Sequence, residues 1–143
     1  MMKAIDIFDP KVAYSSIDDN NILSLIDLVR NGIKFVVFDT FVNRSPFSLN
    51  EWSKFLHISE RTMQRHQKEK RPFDALQSEK ILEIVLLYKK GTEVFGTKEK
   101  FDSWIETENL ALGKIKPKQL LDNTFGISLL KDELTRIEYG VLA

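Results

Sequence analysis

Cysteine is absent from this chain of 143 residues, and histidine occurs only twice. Without cysteine there is no disulfide framework, no thiolate zinc site and no thiol nucleophile, so a reducing, cytoplasmic setting is expected. His57 and His66 have no companions at metal-ligand spacing, and no metal or other cofactor is expected. With six glycines and four prolines the composition is neither collagenous nor that of a disordered linker. Apolar runs stay well short of the roughly 18 residues that a spanning helix needs, and Met1 to Asp6 turn acidic rather than apolar, so neither membrane insertion nor export is expected.

Charge of one sign is missing as well, with 21 basic residues balancing 21 acidic ones. The balance hides a local excess. Residues 51–71 carry a net charge of +3, against −1 for 1–50, zero for 72–100 and −2 for 101–143. A polyanionic partner is therefore sought first in that one window.

The apolar pattern predicts an all-α fold. Residues 1–19 lack periodicity and read as an irregular or frayed N-terminal arm with no assigned function. Ile22, Leu25, Ile26 and Val29 step by three and four, with Asn31-Gly32 as the stop, so a helix begins near Asn20. The stretch Ile33 to Val42 fits strand or helix. Its spacing of Phe38, Phe41 and Val42, and the lack of any other convincing strand, favour a helix. Ser48 and Glu51 form a capping box, Ser59 is a second N-cap, and two short helices joined by three or four residues make a helix-turn-helix over about 48–69. A long helix follows from Asp74, with Leu76, Ile81, Leu82, Val85, Leu86 and Phe95 as its apolar face and Gly96 as its stop. Beyond it come a short helix holding Phe101, Trp104 and Ile105, a turn at Pro117, a break at Phe125-Gly126 and a final helix to Gly140. The organisation is thus an arm (1–19), a helical region (20–90) and a C-terminal region (91–143).

In the second helix of the helix-turn-helix, Arg61, Gln64, Arg65 and Lys68 fall at i, i+3, i+4 and i+7 and share one face. Arginine offers a fork to guanine, glutamine a paired amide to adenine, and lysine a point charge to phosphate, so this face suits a major-groove reader. An ordinary solvated helix face has the same composition and is the first reading of the charge alone, and the two capped helices upstream bring the DNA reading nearer to level with it. Met63 turns to the core, and His66 packs or touches phosphate. The segment Gly91 to Lys98 mimics a phosphate loop, but its Lys and Thr are reversed and it follows a helix rather than a strand, so it reads as a helix end. No nucleophile elbow and no marked acid–base pair is present, and no enzymatic activity is expected. A stand-alone helix-turn-helix transcriptional regulator accounts for these features. The apolar end Val141-Leu142-Ala143 is either frayed or held by another molecule.

From about Leu23 onward the chain resembles the Xre/MbcA/ParS antitoxins of type II toxin-antitoxin modules. The resemblance rests on Ile58-Ser59-Glu60-Arg61-Thr62-Met63-Gln64-Arg65, Ser78-Glu79-Lys80-Ile81-Leu82 and Glu93-Val94-Phe95-Gly96. It continues through Phe101-Asp102-Ser103-Trp104-Ile105, Asn109-Leu110-Ala111-Leu112-Gly113, Pro117-Lys118-Gln119-Leu120-Leu121, Thr124-Phe125-Gly126 and Arg136-Ile137-Glu138-Tyr139-Gly140-Val141. The chain departs from the family where it has His66, Lys80 and Lys114, positions at which those proteins often carry arginine, arginine and glycine. The resemblance implies an Xre-like DNA-binding region followed by a helical toxin-binding domain. It implies a partner with a RES domain that degrades NAD, or an ADP-ribosylating toxin, neutralised by direct contact. It also implies repression of the module's own operon by a homodimer on operator DNA. Carried onto this chain, Arg61, Gln64, Arg65 and Lys68 would face the operator, while Trp104, Arg136, Glu138, Tyr139 and Val141 would lie in the toxin-binding domain.

Overall fold

Side-chain caps mark where most helices of the chain begin. A computed structural model describes residues 6–140, and in it seven α-helices follow one another. They are α1 (Asp19–Asn31), α2 (Phe35–Arg44), α3 (Leu49–Phe55), α4 (Glu60–Glu69), α5 (Ala75–Phe95), α6 (Lys98–Glu106) and α7 (Thr124–Glu138). Single 3-10 turns at Tyr14–Ser16, Leu110–Leu112 and Pro117–Leu120 fill the connections, and the β pairing among the described residues is one isolated bridge, Asn109 with Ile115. The fold is all-α, as the sequence predicts. Asp18, Ser48, Ser59, Asp74, Thr97 and Asn123 each accept a hydrogen bond from an amide of the first turn they precede. Each such cap is worth about 1 kcal/mol.

Helices α1 to α4 and the first half of α5 enclose an aromatic core. Trp52 and Phe38 are fully buried, and their rings meet edge to face at 5.2 Å. Phe38 also meets Phe73 at 4.8 Å, and Phe47 meets Phe55 at 5.2 Å. The indole N–H of Trp52 donates to Ser45 Oγ at 3.3 Å, so the largest core side chain leaves no polar atom unpaired. Ser78 performs the same service for the backbone. Its buried hydroxyl accepts from the Ile33 amide at 2.9 Å, while the Phe73 amide donates to the Ile33 carbonyl at 2.9 Å.

Helix α5 is the spine, packed against α1, α6 and α7. At Gly91 a Cβ would fall 2.1 Å from the Phe101 ring, so the close approach of α5 and α6 requires glycine there. Tyr88 then donates its hydroxyl to Asp102 across the same interface. Burial pushes the Tyr88 phenol up, and the Asp102 carboxylate adds to the shift.

Two expectations need correction, and one left open between two forms is narrowed. The N-terminal segment is irregular but not frayed along residues 6–17. Ile7 and Phe8 are buried, Lys89 Nζ donates to the carbonyls of Asp9 and Val12 at 2.8 and 2.7 Å, and Ser15 donates to Glu93 at 2.6 Å. Leu76 does not join the apolar face of α5 and is 77% exposed. It precedes Ile81 by five residues, which places it about 140° round the helix in a first turn that no neighbour covers. Phe125-Gly126 is not a break but the first turn of α7, capped by Asn123. Glycine is needed there for packing, since a Cβ would lie 2.3 Å from the Leu120 carbonyl oxygen.

Candidate nucleic-acid interface and toxin-binding surface

The capping box of Ser48 and Glu51 opens α3, and the turn that follows brings the chain into α4. In that turn His57 adopts a left-handed conformation (φ 57°), and the Ile58 amide donates to the Ser53 carbonyl at 3.0 Å. Ser59 caps α4 through the Thr62 amide. Met63 and His66 are the buried residues of α4. His66 stacks on Phe73 at 4.5 Å and makes a 3.1 Å hydrogen bond with the Arg71 carbonyl, so it packs inward.

With Met63 and His66 directed inward, α4 turns Arg61, Gln64, Arg65 and Lys68 to solvent, and all four are exposed. None forms a hydrogen bond or salt bridge with another described residue. Their donors remain available for bases and phosphates, in contrast to Arg71, which pairs with Glu69 at 2.6 Å. Lys70 in a left-handed C-cap ends the helix just past this face.

The helix-turn-helix is fastened to the C-terminal region at two points. His57 Nε2 lies 2.6 Å from the Asp122 carbonyl oxygen. Lys118 bridges Glu51 at 2.9 Å and Glu106 at 2.7 Å. Hydrogen bonds that it donates to Glu106 and Glu51 hold the Lys118 ammonium above its ordinary value. Burial works to raise the Glu51 carboxyl, but the bonds from Lys118 and Ser48 outweigh it and leave the group below the usual carboxylate range. Neither fastening had a signal in the sequence, since both depend on how a distant segment folds back.

Among the C-terminal residues expected to bind toxin, Trp104 is half-buried on α6, stacked on Phe101 at 5.8 Å and beside Phe95 at 5.7 Å. Its outer edge lines a shallow groove with Lys100, Ser103 and Thr107. Arg136 pairs with Glu133 at 3.0 Å, Glu138 is exposed, and Tyr139 is 75% exposed at the end of α7. Val141 lies outside the described residues. No hydrogen bond, salt bridge or aromatic contact joins Trp104 to the α7 residues among those described. Sequence reasoning missed Phe125 and Leu129, 86% and 43% exposed, which add an apolar strip to α7. Their i, i+4 spacing was the available signal, hidden because Phe125-Gly126 reads as a break before the final helix. Lys80 donates to Thr124 at 3.0 Å beside that strip. Lys114 has a positive φ of 63°, a conformation that glycine adopts without cost.

Residues 24–86 match the Antitoxin Xre-like helix-turn-helix domain, and residues 90–140 match the Antitoxin Xre/MbcA/ParS C-terminal toxin-binding domain. The chain is also similar to the Antitoxin Xre of Photorhabdus laumondii subsp. laumondii, with 25% identity over 117 residues that cover 81% of this chain and 79% of the relative. The two domain matches adjoin within α5, and the exposed quartet of α4 falls in the first while Trp104, Arg136, Glu138 and Tyr139 fall in the second. The chain belongs to the Xre/MbcA/ParS antitoxin family, with an Xre-like helix-turn-helix joined to a C-terminal toxin-binding domain.

Proposed function

We propose that this chain is the antitoxin of a type II module, that it neutralises a RES-type NAD-degrading or ADP-ribosylating toxin by direct contact, and that it represses its own operon. The observation that carries this reading is the pairing, in one chain, of a helix-turn-helix with four unpaired polar side chains and a following region of the toxin-binding family. Operator contacts fall to Arg61, Gln64, Arg65 and Lys68, with the arginines and the glutamine reading base edges and Lys68 neutralising phosphate. A homodimer would present two such helices to half-sites one turn of DNA apart. Toxin contacts fall to Trp104, Arg136, Glu138, Tyr139 and Val141, where a tyrosine exposed at the end of a helix that also carries the exposed Phe125 and Leu129 has the composition of a protein-binding hot spot. The chain acts by occupancy and catalyses nothing.

The test is co-expression with the protein encoded beside it. That protein arrests growth alone, co-purifies with this chain, and is no longer restrained once Tyr139 to Ala143 are deleted. Full rescue by the truncated chain would remove the tail from the binding surface. A neighbouring product that neither arrests growth nor binds would leave a transcription regulator without a toxin.

A further inference from the structure

Between the N-terminal segment and the helices beneath it lies a cavity of about 450 Å³, within the range of roughly 300–1,000 Å³ seen for small-molecule sites. Phe8, Val12 and Tyr14 form one wall, and Phe41 of α2 with Tyr88 of α5 forms another. Arg44, Lys89 and Thr92 also line it. Neither cation forms a salt bridge among the described residues. Arg44 donates through Nη2 to the Phe8 carbonyl, and Lys89 to those of Asp9 and Val12.

Two residues of the wall each hold a buried polar atom without a hydrogen-bond partner, Arg44 Nε and Thr92 Oγ1, both just behind the cavity surface. Native interiors leave few such groups unpaired, and a pair of them flanking one cavity calls for an acceptor. The electrostatics agree. Burial and the neighbouring Arg44 push the Lys89 ammonium down from its ordinary value despite the carboxylates of Asp9 and Asp6. Lys98 is paired with Asp102 at 2.5 Å, so Lys11, Arg44 and Lys89 are set against the one lining carboxylate, Glu93, which accepts from Ser15 and is exposed, and the wall keeps a positive excess.

We propose that this cavity binds a small organic anion, a carboxylate carrying an apolar tail, with its head against Arg44 and Thr92 and its body among Phe8, Val12 and Phe41. A neutral apolar molecule would leave both donors unpaired, and a polyphosphate would leave the apolar walls without a partner. Small shifts of the guanidinium and of the Thr92 side chain present Nε and Oγ1 to the carboxylate, and the bound molecule then bridges the N-terminal segment to α2 and α5. The site is separate from the operator face and from α7, so it stands whether or not the toxin assignment does.

Calorimetric titration of the full chain with octanoate, and with octan-1-ol as its neutral counterpart, tests the proposal. Octanoate binds saturably at one site, at least about tenfold more tightly than the alcohol, and raises Tm. Thr92→Val weakens octanoate binding, and Arg44→Met abolishes the preference for the acid over the alcohol. Should Arg44→Met fail to fold, the near-isosteric Thr92→Val and the acid-to-alcohol ratio still decide. No saturable octanoate binding, equal affinity for both probes, or octanoate binding indifferent to Thr92→Val would each overturn it.

Discussion

Around α3 and α4 the aromatic side chains turn inward, so that Phe38, Phe47, Trp52, Phe55 and Phe73 are all buried and the outward face is polar. Along α7 the arrangement is the reverse in its exposed part, with Phe125, Leu129 and Tyr139 outward and the buried face made of smaller aliphatics such as Ile127, Leu130 and Leu134. The first region satisfies its apolar surface by itself and has charges to offer, which suits a polyanion. The second keeps large apolar groups in water, which suits another protein. Partner chemistry is thus written in what each region leaves outside.

The comparison can be broken at its first term by Trp52→Ala. Removing a fully buried indole costs about 3–5 kcal/mol, enough to unfold much of the population and to remove operator binding and protection together. Urea unfolding followed by circular dichroism measures the loss. Next comes Gly126→Ala, whose methyl collides with the Leu120 carbonyl and costs about 1–3 kcal/mol. Because α5 is shared by both regions, one cooperative transition shifts rather than two separating. A biphasic melt would show that the halves fold apart.

Arg65→Ala sharpens the contrast from the DNA side. It costs about 1–3 kcal/mol of operator binding and leaves protection against toxin and thermal stability unchanged. Gel-shift titrations at two salt concentrations read the effect, and the parallel Lys68→Ala change lowers the salt slope by about one. Smallest is the effect of Lys118→Met at the fastening between the regions. Glu51 sits below the ordinary carboxylate range, so its stabilisation is present at neutral pH and is lost as pH falls through its folded pKa. Both partners are partly exposed, which limits the effect to about 0.5 kcal/mol, and the substituted chain shows a correspondingly flatter stability profile on acidification.

Local chemistry was legible in the residues. Ser48 with Glu51, Ser59, Asp74 with Gln77, and Gly96 followed by Thr97 announce helix ends because caps act within three or four positions. The outward set Arg61, Gln64, Arg65 and Lys68 was readable for the same reason, since one helical period fixes who shares a face. What depended on distant segments was not. Ile7 and Phe8 are two apolar residues without a period, and only the presence of Phe41 and Arg44 makes them core. Phe125-Gly126 looked like a stop because glycine lowers helix propensity, and the reason for glycine there is a carbonyl in a different element. The two links through His57 and Lys118 belong to the same class.

Helix α5 carries one further implication. It runs unbroken for 21 residues, about 30 Å, and the seam between the two family matches, after residue 86 and before residue 90, falls inside it. A protease searching for an unprotected joint between the helix-turn-helix and the C-terminal domain would find a hydrogen-bonded rod, so the molecule should be cleared from a cell as one piece rather than lose one half and keep the other.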